Sequence, residues 1–297
     1  MQFALFFLTK IADNERVKRL FIDKFNYVKY YLNMEIIEKT KVYTSIESAL
    51  TRAQDVSMHL IILYNSNISF VPDKPICEMA IFGKTVKEWV RSCNGGRCRT
   101  TEIEYSSDNN ITDLIRPYLS NDKYTIVLYA DTPLVRYSSI ISILEEMDVR
   151  GQNVKKLKRG YIFNTEFIKT APSVYAPEQQ TRFDDEFYTV IDSNTFMVAY
   201  NILKQRILAY HLSNGVVILN ESSVLIDAEV EIESGVIIHQ NNVLLGGSFV
   251  KSGTVLYPNN VIKNSFIGSN CTLLGGYLEN AKVQNGTVIE PFSKIIL

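Results

Sequence analysis

The sequence has little that marks a secreted, membrane or nucleic-acid-binding protein. It holds only four cysteines, Cys77, Cys93, Cys98 and Cys271. That is too few for a disulfide framework, and their spacing fits no zinc pattern. They read as ordinary thiols of a reducing compartment. There is no excess of charge of one sign: 31 Lys and Arg against 32 Asp and Glu leave a net charge of -1. A global positive field able to hold a nucleic-acid backbone is therefore missing. The longest apolar runs, such as Phe3–Leu8 and Leu60–Leu63, fall far short of the ~20 residues a bilayer requires. The N-terminal hexad has no basic region before it and no small-residue cleavage site after it, so it reads as a buried strand rather than a signal peptide. The default location is the cytoplasm. Hydrophobic residues make up 46% of the 297 and charged residues 21%. That excludes a wholly disordered chain and leaves room for two ordinary domains or one large one.

What is present changes character near residue 215. Before it, apolar strand-like runs alternate with helical patterns. Phe3–Leu8, His59–Leu63 and Tyr124–Tyr129 are strand candidates. Asp13–Leu32, Ser45–Ala53, Thr85–Ser92, Ile111–Leu119 and Ser138–Met147 are helix candidates. Such alternation implies a mainly parallel α/β sheet. Asn194–Leu212 carries a further helical pattern, stopped by Asn214-Gly215.

After residue 215 the period becomes six. Ile226, Ile232, Ile238, Leu244, Val250, Leu256 and Ile262 follow one another at that interval, and all are aliphatic. Neither a helix nor a flat strand has this period. It is the repeat of a left-handed parallel β-helix, in which three hexads make one triangular coil. Gly235, Asn241-Asn242, Gly246-Gly247, Gly253 and Asn259-Asn260 fall at the corners, where tolerance of positive φ is useful. The register slips by one at Ile267, is irregular near Tyr277–Ala281, and resumes at Val283, Ile289 and Ile295. The expected organisation is an α/β domain over 1–200, a linker helix over 201–215, and a β-helix over 216–297.

Several segments carry a family resemblance. Ile202-Leu-Lys-Gln-Arg-Ile, His211-Leu-Ser-Asn-Gly-Val, Val261-Ile-Lys-Asn-Ser-Phe-Ile-Gly and Val288-Ile-Glu-Pro-Phe resemble the bacterial bifunctional N-acetylglucosamine-1-phosphate uridylyltransferase/glucosamine-1-phosphate acetyltransferases. So does Val127-Leu-Tyr-Ala-Asp-Thr-Pro-Leu-Val, set against the family's "VLYGDxPL". Residues 73–90 resemble the "PKPLxxxxGKPxxEHV" segment of sugar nucleotidyltransferases. The likeness runs over roughly 58–297, and residues 1–57 precede the family's usual start.

The resemblance implies nucleotidyl transfer: a sugar-1-phosphate oxygen attacks the α-phosphate of a nucleoside triphosphate, and pyrophosphate leaves. That chemistry calls for Mg²⁺, for backbone N–H groups on the triphosphate and for a basic residue beside it. The family's metal-binding aspartate corresponds to Asp131, and its second ligand, an asparagine in "GVNNR", to Asp192. The plainer alternative is that Asp131 begins a turn and Asp192 caps a helix. The Gly-rich phosphate loop is lost. In Leu63–Lys74 there is no glycine and no arginine, and only Lys74 is left as a phosphate ligand; otherwise it is a solvated loop lysine. The family's sugar-binding glutamate is replaced by Lys156, and the interval from Asp131 to His211 is short, so part of the sugar-binding subdomain is expected to be missing. The acetyltransferase site is expected to be absent too, because the repeat stops soon after Pro291–Lys294. His239 reads as a structural corner residue before an acyl-transfer base, and His59 and His211 as packing or capping residues.

Two functions fit these residues. One is a divergent uridylyltransferase-type enzyme acting on N-acetylglucosamine-1-phosphate and UTP, with weak or lost activity. The other is a non-catalytic nucleotide-sugar-binding, regulatory or scaffold protein. Both are expected to form homotrimers through the β-helix.

Overall fold

The computed structural model describes residues 56–106, 110–172 and 177–297. The expected strand Phe3–Leu8 and the expected helices Asp13–Leu32 and Ser45–Ala53 lie outside them. Strand β1 (Met58–Tyr64) is a run of apolar residues buried almost throughout, as suits a strand covered on both faces. It pairs in parallel with β2 (Arg99–Glu104) on one side and with β3 (Tyr124–Tyr129) on the other. Beyond β3 come β4 (Val154–Leu157) and β5 (Gly160–Asn164), giving the order β2-β1-β3-β5-β4. β5 runs antiparallel to both β3 and β4. The sheet is therefore mixed, with three parallel strands and an antiparallel hairpin, where a mainly parallel one was expected. Only Lys158 and Arg159 separate β4 from β5, and two residues make a hairpin but never a parallel crossover.

Gly160 holds that hairpin against the sheet. Its φ is +128°, and a Cβ there would lie 2.5 Å from the Val127 carbonyl oxygen. No other residue fits both constraints.

Among the described residues, five α-helices pack around or beyond the sheet. In α1 (Val86–Ser92), Thr85 and Glu88 form a reciprocal capping box. α2 (Ile111–Ile115) and α4 (Thr165–Thr170) are capped by Asn110 and Asn164. α3 (Tyr137–Arg150) buries Ile140, Ile141, Leu144 and Met147 and stops at Gly151, in the left-handed region. α5 (Ser193–Ser213) buries Ala199, Leu203, Ile207, Leu208 and His211.

From Val217 the chain winds through short strands in three parallel sheets of five, five and four. This is a three-sided parallel β-helix. Ile226, Ile232, Ile238, Leu244, Val250, Leu256 and Ile262 are all buried, with Ile238 through Ile262 wholly so. Asn241 and Asn259, and Gly235, Gly246 and Gly253, take positive φ at corners. Stacked partners are 18 residues apart in early coils, as in Ile226↔Leu244 and Leu244↔Ile262. The spacing shortens to 17 at Val250↔Ile267 and to 16 at Ile262↔Leu278. Leu278 fills the inward place in the irregular stretch, reached by five-residue steps from Leu273 and onward to Val283.

The helix α5 is the seam between the two parts. One hydrophobic core runs from Ile76, Phe82 and Leu134 through Ala199 and Leu203 into the β-helix interior. The hairpin turn at Phe82 also accepts a hydrogen bond at its carbonyl from the Ala228 N–H, at 3.0 Å. Ser57–Leu297 accordingly forms one compact unit. No helix among the described residues is long and apolar enough to cross a membrane.

Candidate functional site

In an open α/β sheet, ligands gather at the carboxyl ends of the parallel strands. Here that edge is made by the ends of β1 and β3, and Asp131 stands just past β3. The Thr132 hydroxyl and N–H both return to the Tyr129 carbonyl, closing the turn. The Asp131 carbonyl accepts from the Val190 N–H at 2.8 Å. The two segments singled out in the sequence, 127–135 and 190–194, thus meet through their backbones.

The Asp131 carboxylate faces Arg159, from the β4–β5 turn. Arg159 Nη2 is 2.6 Å from Oδ2 and Nε is 3.2 Å from Oδ1, so both oxygens are engaged by one planar fork. The guanidinium lies 3.7 Å from the centroid of the Tyr129 ring and donates to the Tyr105 hydroxyl at 3.2 Å. Tyr105 in turn sits edge-on to Tyr129. Burial pushes the Asp131 carboxyl up, and the hydrogen bonds and charge of Arg159 pull it back only in part.

Asp192 has the helix-capping role. It is the N-cap of α5, and its Oδ1 accepts from the Thr195 N–H and hydroxyl, each at 2.7 Å. Those bonds hold its carboxyl below the usual range. Lys74 is exposed in a tight turn, its N–H bonded to the Val71 carbonyl and its own carbonyl to the Ser69 hydroxyl. It does not line the cleft above Asp131. Ile68 does, with Tyr64, Asn65 and Tyr105, and the cavity they leave measures about 20 Å³. Nearby, Phe70 is edge-on to Phe196 of α5, which fixes the loop where a phosphate loop would have lain. Lys156, in place of the sugar-binding glutamate, sets its ammonium 4.1 Å from the centroid of the Tyr161 ring.

A divalent cation needs oxygen ligands that are free to turn toward it. Both oxygens of Asp131 are bonded to a guanidinium, and Oδ1 of Asp192 is committed to the helix start. No group of three or more His, Cys, Asp or Glu side chains fit to hold a metal occurs among the described residues. As arranged, these residues do not fit Mg²⁺. Arg159 was not singled out by sequence reasoning; the available signal was a two-residue turn opening on Gly160, which places its side chain beside the end of β3.

Sequence comparison gives the class first. No family model matches the chain, but 61 curated proteins do, and those most similar share one name. The chain is 39% identical over 94 residues to the bifunctional protein GlmU of Clostridium acetobutylicum, covering 32% of this chain and 21% of that protein. It is 35% identical over 111 residues to GlmU of Clostridium novyi and 29% over 110 residues to that of Trichormus variabilis, each covering 37% of this chain and 24% of the relative. Over that stretch the chain is similar to GlmU proteins, as a divergent relative would be. It matches less than a quarter of the length of these relatives, over a shorter stretch than the 58–297 across which motifs resemble the family.

Proposed function

We propose that this is a sugar nucleotidyltransferase-like protein whose transfer of a uridylyl group from UTP to N-acetylglucosamine-1-phosphate is weak or lost. The observation that carries this reading is the Asp131–Arg159 pair. The acid that the resemblance assigns to the metal is already neutralised by a residue of the same chain. The small cleft points the same way: about 20 Å³ stands against the roughly 300–1,000 Å³ of ordinary ligand sites. Ile68 and Phe70 put side chains where glycines would let backbone N–H groups close on a triphosphate.

In this reading α5 (Ser193–Ser213), rather than a helix over 201–215, connects the α/β part to a left-handed β-helix over 216–297. Three copies associate side by side through the β-helix in the cytoplasm. Lys74, Asp131 and Asp192 are the positions corresponding to the family's phosphate and Mg²⁺ ligands. Titration of the purified protein with UTP and Mg²⁺ by calorimetry tests the proposal. The expected result is little or no heat of binding; a saturating, Mg²⁺-dependent isotherm would show an intact triphosphate site.

A further inference from the structure

We infer that Arg159 is a resident cation: its guanidinium takes the place of the divalent ion at Asp131 and makes this site independent of metal. The inference rests on the reading of Asp131 as the counterpart of the family's metal-binding acid. Four features of the site support it. The carboxylate side chain is only 15% exposed, so its charge requires a partner. Arg159 supplies that partner through both oxygens. The guanidinium is itself clamped, with the Tyr129 ring on one face and the Tyr105 hydroxyl at one nitrogen, and a clamped fork loses little freedom in holding a carboxylate. Finally, the turn that carries it cannot drift, because Gly160 packs against the Val127 carbonyl two residues before the end of β3.

Arginine stays charged at every physiological pH, so the pairing does not lapse. A divalent ion approaching Asp131 would have to displace two hydrogen bonds and lie against a like charge. Any ligand taken up at the carboxyl edge of this sheet is therefore bound without a metal bridge. The sequence alone leaves this hidden, since Asp131 is retained while its partner lies in a different segment.

The test is Mn²⁺ titration followed by electron paramagnetic resonance, in the absence of nucleotide. Wild-type protein is expected to bind no more Mn²⁺ than Asp131→Asn. Arg159→Gln frees the carboxylate and is expected to bind Mn²⁺ ~10–100-fold more tightly than wild type. The double variant Arg159→Gln/Asp131→Asn is expected to lose that gain. A loss of fold alone would not create an Asp131-dependent metal site. If Arg159→Gln does not fold, Arg159→Lys serves, since an ammonium holds one oxygen at most and leaves the other open; it is expected to show a smaller gain. Binding of Mn²⁺ by wild type that Asp131→Asn abolishes would overturn the inference, as would a folded Arg159 variant with no gain. The UTP titration reports on the nucleotide reading and the Mn²⁺ titration on the counter-ion, so failure of either is recognised separately.

Discussion

Asn260 lies one coil beyond Asn242 inside the β-helix and donates to it, its Nδ2 2.9 Å from the Oδ1 of Asn242. Both side chains are fully buried, and both are satisfied. Asn242 donates to the carbonyls of His239 and Tyr257 at 2.8 and 3.0 Å. Asn260 donates to the Tyr257 carbonyl and accepts from the Gly275 and Gly276 N–H groups at 3.0 Å each. Together the two amides tie successive turns of the coil, because the bonds from Asn242 to Tyr257, from Asn260 to Asn242 and from Gly275 and Gly276 to Asn260 each cross from one coil to the next.

Replacing Asn260 by Leu keeps the γ-branched shape, in a larger side chain, and removes every bond made by the Asn260 amide. The Gly276 N–H is then left buried, and the Gly275 N–H half-buried, without that partner. At about 1–3 kcal/mol for each unsatisfied group, the loss of stability is expected to reach about 3 kcal/mol. Urea denaturation of wild type and variant measures it, and a variant as stable as wild type would show that the ladder contributes nothing.

Acid is expected to weaken the fold through His59 and His211. Both are buried, and Nδ1 of each lacks a hydrogen-bond partner. Burial lowers both from the ordinary 6.5; at His59 the charge of Arg99 adds to it and that of Asp122 opposes it. The unfolded chain therefore takes up protons at these positions before the folded one does. Their contribution is complete above pH 6.5 and is lost as pH falls through the depressed folded values. Melting temperature measured across this range is expected to fall with pH in the wild type. It is expected to fall less in His211→Gln; an identical pH profile would remove His211 from the account.

Assembly gives an independent check. The outward side chains of the coils include the stacked rings of Phe249 and Phe266 and the exposed Tyr257. Sedimentation is expected to show a homotrimer at micromolar concentration, closed about a threefold axis. A stable monomer of 33.9 kDa would contradict it.

The β-helix was legible because its code is local. A six-residue aliphatic period states which side chain points inward, and Asn or Gly states where the corners fall. The irregular stretch near 277–281 was not legible, since two five-residue steps bring Leu278 inward without a repeated spacing. In the sheet, β1 and β3 announced themselves as buried apolar runs. β2 did not, because Arg99–Glu104 is polar at the sheet edge. β4 did not either, because Lys155 faces inward and is paired there with Glu146 at 3.3 Å. Asp131 and Asp192 could be picked out by the motifs around them. Arg159 was missed: the short turn before Gly160 marks a hairpin, but what places the side chain beside Asp131 is the pairing of β5 with β3, a relation between segments.

The most direct test of the central claim is turnover by the wild-type protein with UTP, N-acetylglucosamine-1-phosphate and Mg²⁺, followed by release of pyrophosphate. With Arg159 on the site carboxylate and neither glycine nor arginine in Leu63–Lys74, the contacts to a triphosphate are reduced, and transition-state stabilisation is expected to fall by ~6 kcal/mol or more, about four orders of magnitude in rate. The account predicts weak or undetectable product. Robust turnover of several cycles per second, abolished in Asp131→Ala, would contradict it.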